Sequence, residues 1–176
     1  MPQLRGRPIG LLTAVLAAAS LTFAVAAPGS RGGDDRRDAR GHRDSGRDLL
    51  RASLVGSLPT DPAINGVTPG GAPWVIDRGK VRLRADGRLR LRVEGLVIPP
   101  PRGTNTAGGV TTITASVFCA GATTAAATSG AVALTQSGDA RIDQRLTLSG
   151  ACLAPVVLVH PNGAAARYIA VSGFGR

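Results

Sequence analysis

The chain has 176 residues, a formal net charge of +10, and 21 Lys and Arg against 11 Asp and Glu, with Lys80 the single lysine. That length argues for one domain plus extensions. Two Cys with only His160 in the C-terminal two thirds of the chain are a poor metal-ligand set, and one Trp, one Tyr and three Phe are too few for an aromatic platform that stacks sugars or bases.

Residues 1–26 read as a secretory signal peptide. Arg5 and Arg7 make a basic n-region, Ile9 to Val25 is a nearly unbroken apolar run, and Ala24-Val25-Ala26 offers small residues at the exit. The competing reading is an uncleaved anchor, because the run is nearly long enough to span a bilayer. The small-residue exit favours cleavage after Ala26. No later stretch is apolar and long enough to cross a membrane. We therefore expect a secreted, extracellular protein, free or associated with the cell wall.

Residues 27–48 follow as a linker. "RGGDDRRDARGHRDSGRDLLR", Arg31 to Arg51, mixes Arg and Asp with Gly and Ser and has almost no apolar residue before Leu49. It cannot bury enough surface to offset the entropy of ordering, which predicts a disordered Arg/Asp-rich tether. Gly32, Gly33, Gly41 and Gly46 argue against a helix laced with ion pairs. His42 reads as solvated.

The folded domain is placed at 49–176. Val, Ile, Thr and Leu alternate with polar residues, and Gly, Pro, Asn and Asp punctuate at short intervals, the signature of strands. "RASLVGSL" is the first expected strand, followed by a Pro/Gly loop from Pro59 to Pro73. "WVIDRGKVRLRA" carries the second and "RLRLRVEGLVI" the third. After the stiff loop from Pro99, "VTTITASVFCA" is the fourth. Its alternation sets Ile113, Ala115, Val117 and Cys119 on one face and Thr112, Thr114, Ser116 and Phe118 on the other. "GAVALTQ" and "DARIDQRLTLS" are expected to form a hairpin over Ser137-Gly138, with "PVVLVH" and "ARYIAVSG" as the last two strands. The fold class is therefore all-β: a single antiparallel Greek-key sandwich of about seven or eight strands, with a closed barrel as the alternative.

The second and third strands form a hairpin whose register can be derived. Residues that face each other share a side of the sheet, so Val81 and Leu83 must oppose Leu89, Leu91 or Val93. A two-residue Asp86-Gly87 turn would set Leu83 against Arg90 and fails. A three-residue loop Ala85-Asp86-Gly87, with Gly87 left-handed, sets Leu83 against Leu89 and Val81 against Leu91. Arg78, Lys80, Arg82, Arg84, Arg88, Arg90 and Arg92 then share the other face with Glu94 alone. Arg141 and Arg145 of the sixth strand add charge and Asp143 relieves it. One reading is a solvated sheet face, coloured by the arginine usage of a GC-rich genome. The sharper reading makes those seven cations an anion-binding platform. Outside a cell its partners would be wall phosphate polymers, acidic polysaccharide, an anionic lipid surface or extracellular DNA. Specific nucleic-acid binding is not expected, because the hairpin interleaves no aromatic among its cations.

Cys119 and Cys152 are expected to form a disulfide in an oxidising compartment, closing a loop of about 34 residues worth roughly 3–4 kcal/mol. No cofactor or metal is implied. Asp86 and Asp139 read as turn residues, Asp77, Glu94 and Asp143 as partners for Arg, and Asp61 lies in a Pro loop. His160 ends a strand and is the one residue with catalytic potential, with Ser172 as the nucleophile it would need. A structural role outweighs that reading. Trp74 reads as a core plug. A non-enzymatic binding domain is thus the first expectation, a protein–protein or structural module of the envelope the second, and a hydrolase-type enzyme the third.

Beyond the residues themselves, "PGGAPWVIDRGKVRLRADGRLRLRVEGLVIP", "TASVFCAG", "GDARI" and "CLAPVVLVHPNG" resemble small secreted actinobacterial proteins that carry no assigned activity. "LVGSL" with "GKVRLRADGRLRLRVEGL" is also similar to chordin-type (CHRD) domains, over a minor part of the domain. Their His-Ile-His stretch is absent, with "TASVFCAG" in its place. The resemblance implies secretion and β architecture and no reaction.

Overall fold

The structure, a computed structural model, describes residues 46–173. The signal peptide at 1–26 and the tether up to residue 45 lie outside the described residues. The strands are β1 (Asp48–Gly56), β2 (Thr68–Pro69), β3 (Arg78–Arg84), β4 (Arg88–Glu94), β5 (Thr112–Phe118), β6 (Ala127–Thr128), β7 (Val132–Ala133), β8 (Ala140–Arg145), β9 (Val156–Pro161), β10 (Arg167–Tyr168) and β11 (Ala170–Gly173). The expected all-β, antiparallel architecture is present. Its main strands form one continuous sheet in the order β6-β5-β9-β11-β1-β3-β4-β8, with β7 also on β5. This sheet curls so that both flanks line a common core: Leu83, Leu89, Leu91 and Ile142 from one, Ile113, Val117, Val157 and Val159 from the other.

Alternation explains most of the core. Along β4 the pattern is buried at Leu89, Leu91 and Val93 and open at Arg90 and Arg92. The hairpin has the derived register: Leu83 opposes Leu89, Val81 opposes Leu91, Arg82 opposes Arg90, Lys80 opposes Arg92 and Arg78 opposes Glu94. The Gly87 N–H donates to the Arg84 carbonyl at 2.9 Å, closing the loop. Gly87 has φ +79°, and a Cβ there would run into the Leu146 carbonyl, so both conformation and space require glycine. Trp74 is buried in the core, as a plug should be.

Three features depart from the expected strands. The stretch "GAVALTQ" contributes only Val132–Ala133, and these pair with β5 rather than β8. The turn at Ser137-Gly138 does form, closed by the Gly138 N–H on the Thr135 carbonyl. Beyond it Leu96 hydrogen-bonds to Gly138 and Ala107 to Gln136, so loop backbone occupies the place of a ladder. The gap between β8 and the far edge is bridged by Gln144, whose Oε1 accepts the Gly130 N–H at 2.8 Å.

The second departure is a cover. β2 and β10 pair in parallel, Arg167 with Thr68 and Tyr168 with Pro69. Val67 and Tyr168 pack there on Phe118 and Leu158, a second apolar cluster. Phe118, on the Thr/Ser side of its strand, is therefore buried under this layer. The third is a bulge in β1 between Asp48 and Leu50. It sets Asp48 opposite Arg84, where an unbroken ladder would set Leu49. Leu49 packs against the core instead.

Cys119 and Cys152 form the expected disulfide, tying the end of β5 to the segment before β9. Among the described residues no helix is long and apolar enough to cross a membrane.

Candidate functional site

The outer face of β1, β3, β4 and β8 is a four-strand field of charge. β1 lies beside β3 with Arg51 opposite Arg82 and Ser53 opposite Lys80. β8 lies beside β4 with Arg141 opposite Arg92, Asp143 opposite Arg90 and Arg145 opposite Arg88. Like charges in facing positions cost roughly 0.2–1 kcal/mol each. Sheet order, not the hairpin alone, therefore sets the electrostatics.

Carboxylates partly offset that cost. Asp143 accepts two hydrogen bonds from Arg88, at 2.9 and 3.2 Å, and also meets Arg90 at 3.4 Å and Arg141 at 3.9 Å. The hydrogen bond from Arg88, reinforced by the surrounding cations, holds the Asp143 carboxyl below the usual range. Glu94 meets Arg92 at 2.6 Å and Arg78 at 3.4 Å. The bulge brings Asp48 to Arg82 at 2.7 Å. Asp86 accepts the Arg88 N–H in the turn, the main cause of its lowered pKa, and meets Arg145 at 3.1 Å. The guanidinium side chains stay from 39% (Arg88) to 80% (Arg78) exposed, so solvent and salt screen each pair and its net contribution is small. These pairs are loose enough to be exchanged for a ligand.

Among the described residues, Arg51 and Lys80 carry no ion pair. Both line a shallow groove of about 600 Å³ that crosses the four strands. Arg82, Arg90, Arg92 and Arg141 line it too, and among the described residues no carboxylate does. Of the seven cations expected from the hairpin, Lys80, Arg82, Arg90 and Arg92 thus meet in the groove, while Arg78, Arg84 and Arg88 stand outside its lining. Arg51 and Arg141 join them from strands that the hairpin does not specify. Their signal in the sequence was the shared parity with polar residues, but not the strand order that brings them alongside.

His160 is buried on β9. Its Nδ1–H donates to the Arg167 carbonyl at 2.7 Å, and Nε2 has no hydrogen-bond partner among the described residues. Burial depresses its pKa below the ordinary histidine value, with the hydrogen bond opposing. Ser172 accepts the Val157 N–H at 2.9 Å, so its hydroxyl is engaged in the sheet. The partner the structure gives His160 is therefore a backbone carbonyl and not a carboxylate. Among the described residues no group of His, Cys, Asp and Glu is arranged to hold a metal ion.

No protein-family model, curated protein or solved structure matches the chain.

Proposed function

We propose that this chain is an exported, non-enzymatic β-domain that holds anionic polymers of the cell envelope on its outer sheet face. One observation carries the reading: a groove lined by six cations and, among the described residues, no carboxylate, on a sheet whose opposite face is the core. The strand ladder fixes the backbone beneath those groups, so the ordering cost at the moment of binding is confined to their side chains. Arg supplies planar forks of donors suited to phosphate and carboxylate. The exposed ion pairs yield to a polyanion because each is weak and screened.

Binding of this kind releases counterions, so affinity should fall about a hundredfold between 50 and 200 mM salt for roughly five contacts. Retention of the full chain on immobilised polyphosphate across that range checks it. Arg82, Arg90, Arg92 and Arg141 all replaced by Gln should abolish retention with unfolding unchanged. Retention indifferent to salt would remove the electrostatic mechanism.

A further inference from the structure

The geometry points to one linear chain with phosphate in its backbone as the ligand, lying across the strands rather than along them. This rests on the polyanion reading and narrows it. The groove has two walls. Lys80, Arg92 and Arg141 stand in one rank, and Arg51, Arg82 and Arg90 in the other, two residues along each strand. Strand spacing places cations at intervals of about 4.8 Å along the lane, and the two-residue step separates the ranks by about 6.7 Å. Crossing four strands gives a lane about 14 Å long. Its floor is main chain, since Val81, Leu91 and Ile142 turn their side chains into the core.

A lane walled on both sides selects where a polymer keeps its charge. A backbone phosphate flares two non-bridging oxygens away from the chain axis, and each can meet one rank. A pendant carboxylate puts both oxygens on one side of its own sugar ring, so each unit meets only one rank. No aromatic side chain lines the lane, so neither a sugar ring nor a nucleobase finds a stacking partner there. What remains is recognition of charge in the chain itself. The strongest position is the β1 end, where Arg51 and Lys80 carry no ion pair among the described residues. The Asp143 end is weaker. Inorganic polyphosphate and a polyol phosphate share this chemistry.

The test is titration of the full chain at constant ionic strength with inorganic polyphosphate, poly(glycerol phosphate) and polygalacturonate, compared per charge. At least one phosphate chain should bind about tenfold tighter than polygalacturonate, and whichever does identifies the source. The paired substitution Arg51→Gln and Lys80→Gln should cost that phosphate chain about tenfold. The pair Arg78→Gln and Arg145→Gln, outside the lane, should cost it much less. Equal affinity for polygalacturonate, or equal loss from the two variant pairs, overturns the lane and leaves general polyanion binding standing. Binding to none of the three polymers overturns both.

Discussion

The two flanks of the sheet follow the same alternation and end in opposite states. On β5 and β9 the outward positions hold Ser116, Phe118 and Leu158, and all three are buried, Phe118 and Leu158 beneath Val67 and Tyr168 of the β2–β10 layer. On β3 and β4 the outward positions hold Lys80, Arg82, Arg90 and Arg92, and nothing among the described residues packs over the groove they line. Strand geometry is common to both, so side-chain chemistry makes the difference. Small, hydroxyl and apolar groups can be covered because they lose little on leaving water or find a local partner. Ser116 meets the Thr128 hydroxyl at 2.8 Å, and Tyr168 donates to the Pro62 carbonyl at 2.8 Å. Guanidinium groups resist covering, since each desolvated charge costs several kcal/mol unless fully paired. The arginine face therefore stays open, and openness is what a binding surface needs.

The harshest way to break this contrast is to give the covered flank the chemistry of the open one. Leu158 is fully buried in the second cluster. Leu158→Arg should cost more than about 4 kcal/mol, by burying an unpaired charge and overpacking the site. Arg90→Leu, the reverse exchange on the open flank, should change stability by less than about 1 kcal/mol. Urea unfolding of the two variants checks the pair. Equal costs would mean that the flanks do not differ as described.

The disulfide sharpens the comparison next. Cys119 and Cys152 are 33 residues apart and both belong to the covered side, at the end of β5 and ahead of β9. Replacing both by Ala should cost about 3–4 kcal/mol by releasing the unfolded chain from its loop. The groove cations lie on other strands, so affinity for polyphosphate should hold wherever the variant remains folded.

His160 carries the third test, smaller and conditional on pH. Its folded pKa is depressed, so between that value and about 6.5 the unfolded chain binds the extra proton more readily. Its contribution is fully present above about 6.5 and erodes as pH falls toward the folded pKa. Unfolding midpoints measured from pH 7 to 5 should decline, and the decline should flatten in His160→Gln. An identical slope in the variant would assign the decline to other groups.

How far the sequence anticipates this follows from how local each determinant is. The β3–β4 register was derivable because parity, turn length and Gly87 all act within one hairpin. The cover was not. Thr68 meets Arg167 across 98 intervening positions, and no periodicity in either short stretch announces a parallel pair. β7 misled for the opposite reason: its alternation is genuine, but only Val132–Ala133 enter a ladder, and they pair with β5 rather than β8. The groove falls between these cases. Its parity was legible in β3, β4 and β8, which already set Arg141 on the polar side, yet Arg51 entered, and Arg141 took its place opposite Arg92, only once the order β1-β3-β4-β8 was known. Asp48 joined the face through a bulge, a single-residue shift that alternation rules cannot foresee.

The smallest change bears most directly on function. Asp143 is the carboxylate shared by Arg88, Arg90 and Arg141, and it sits opposite Arg90 at the β8 end of the lane. Asp143→Asn removes one negative charge and keeps the shape. The lost pairs are exposed and screened by solvent, so stability at neutral pH should fall only slightly. The lowered pKa gives the sign against pH: the carboxylate's contribution is present above about 3.9 and is lost as pH falls through the folded value. The variant should thus differ from the parent at pH 7 and converge with it in acid. Binding should move the other way, because Arg90 and Arg141 are released to the ligand. Affinity for polyphosphate at low salt should rise by a few-fold, with a steeper salt dependence as more counterions are displaced. A variant that loses both stability and affinity would show that Asp143 is holding the arginines in place rather than competing for them, and the open flank would then be a scaffolded site instead of a bare one.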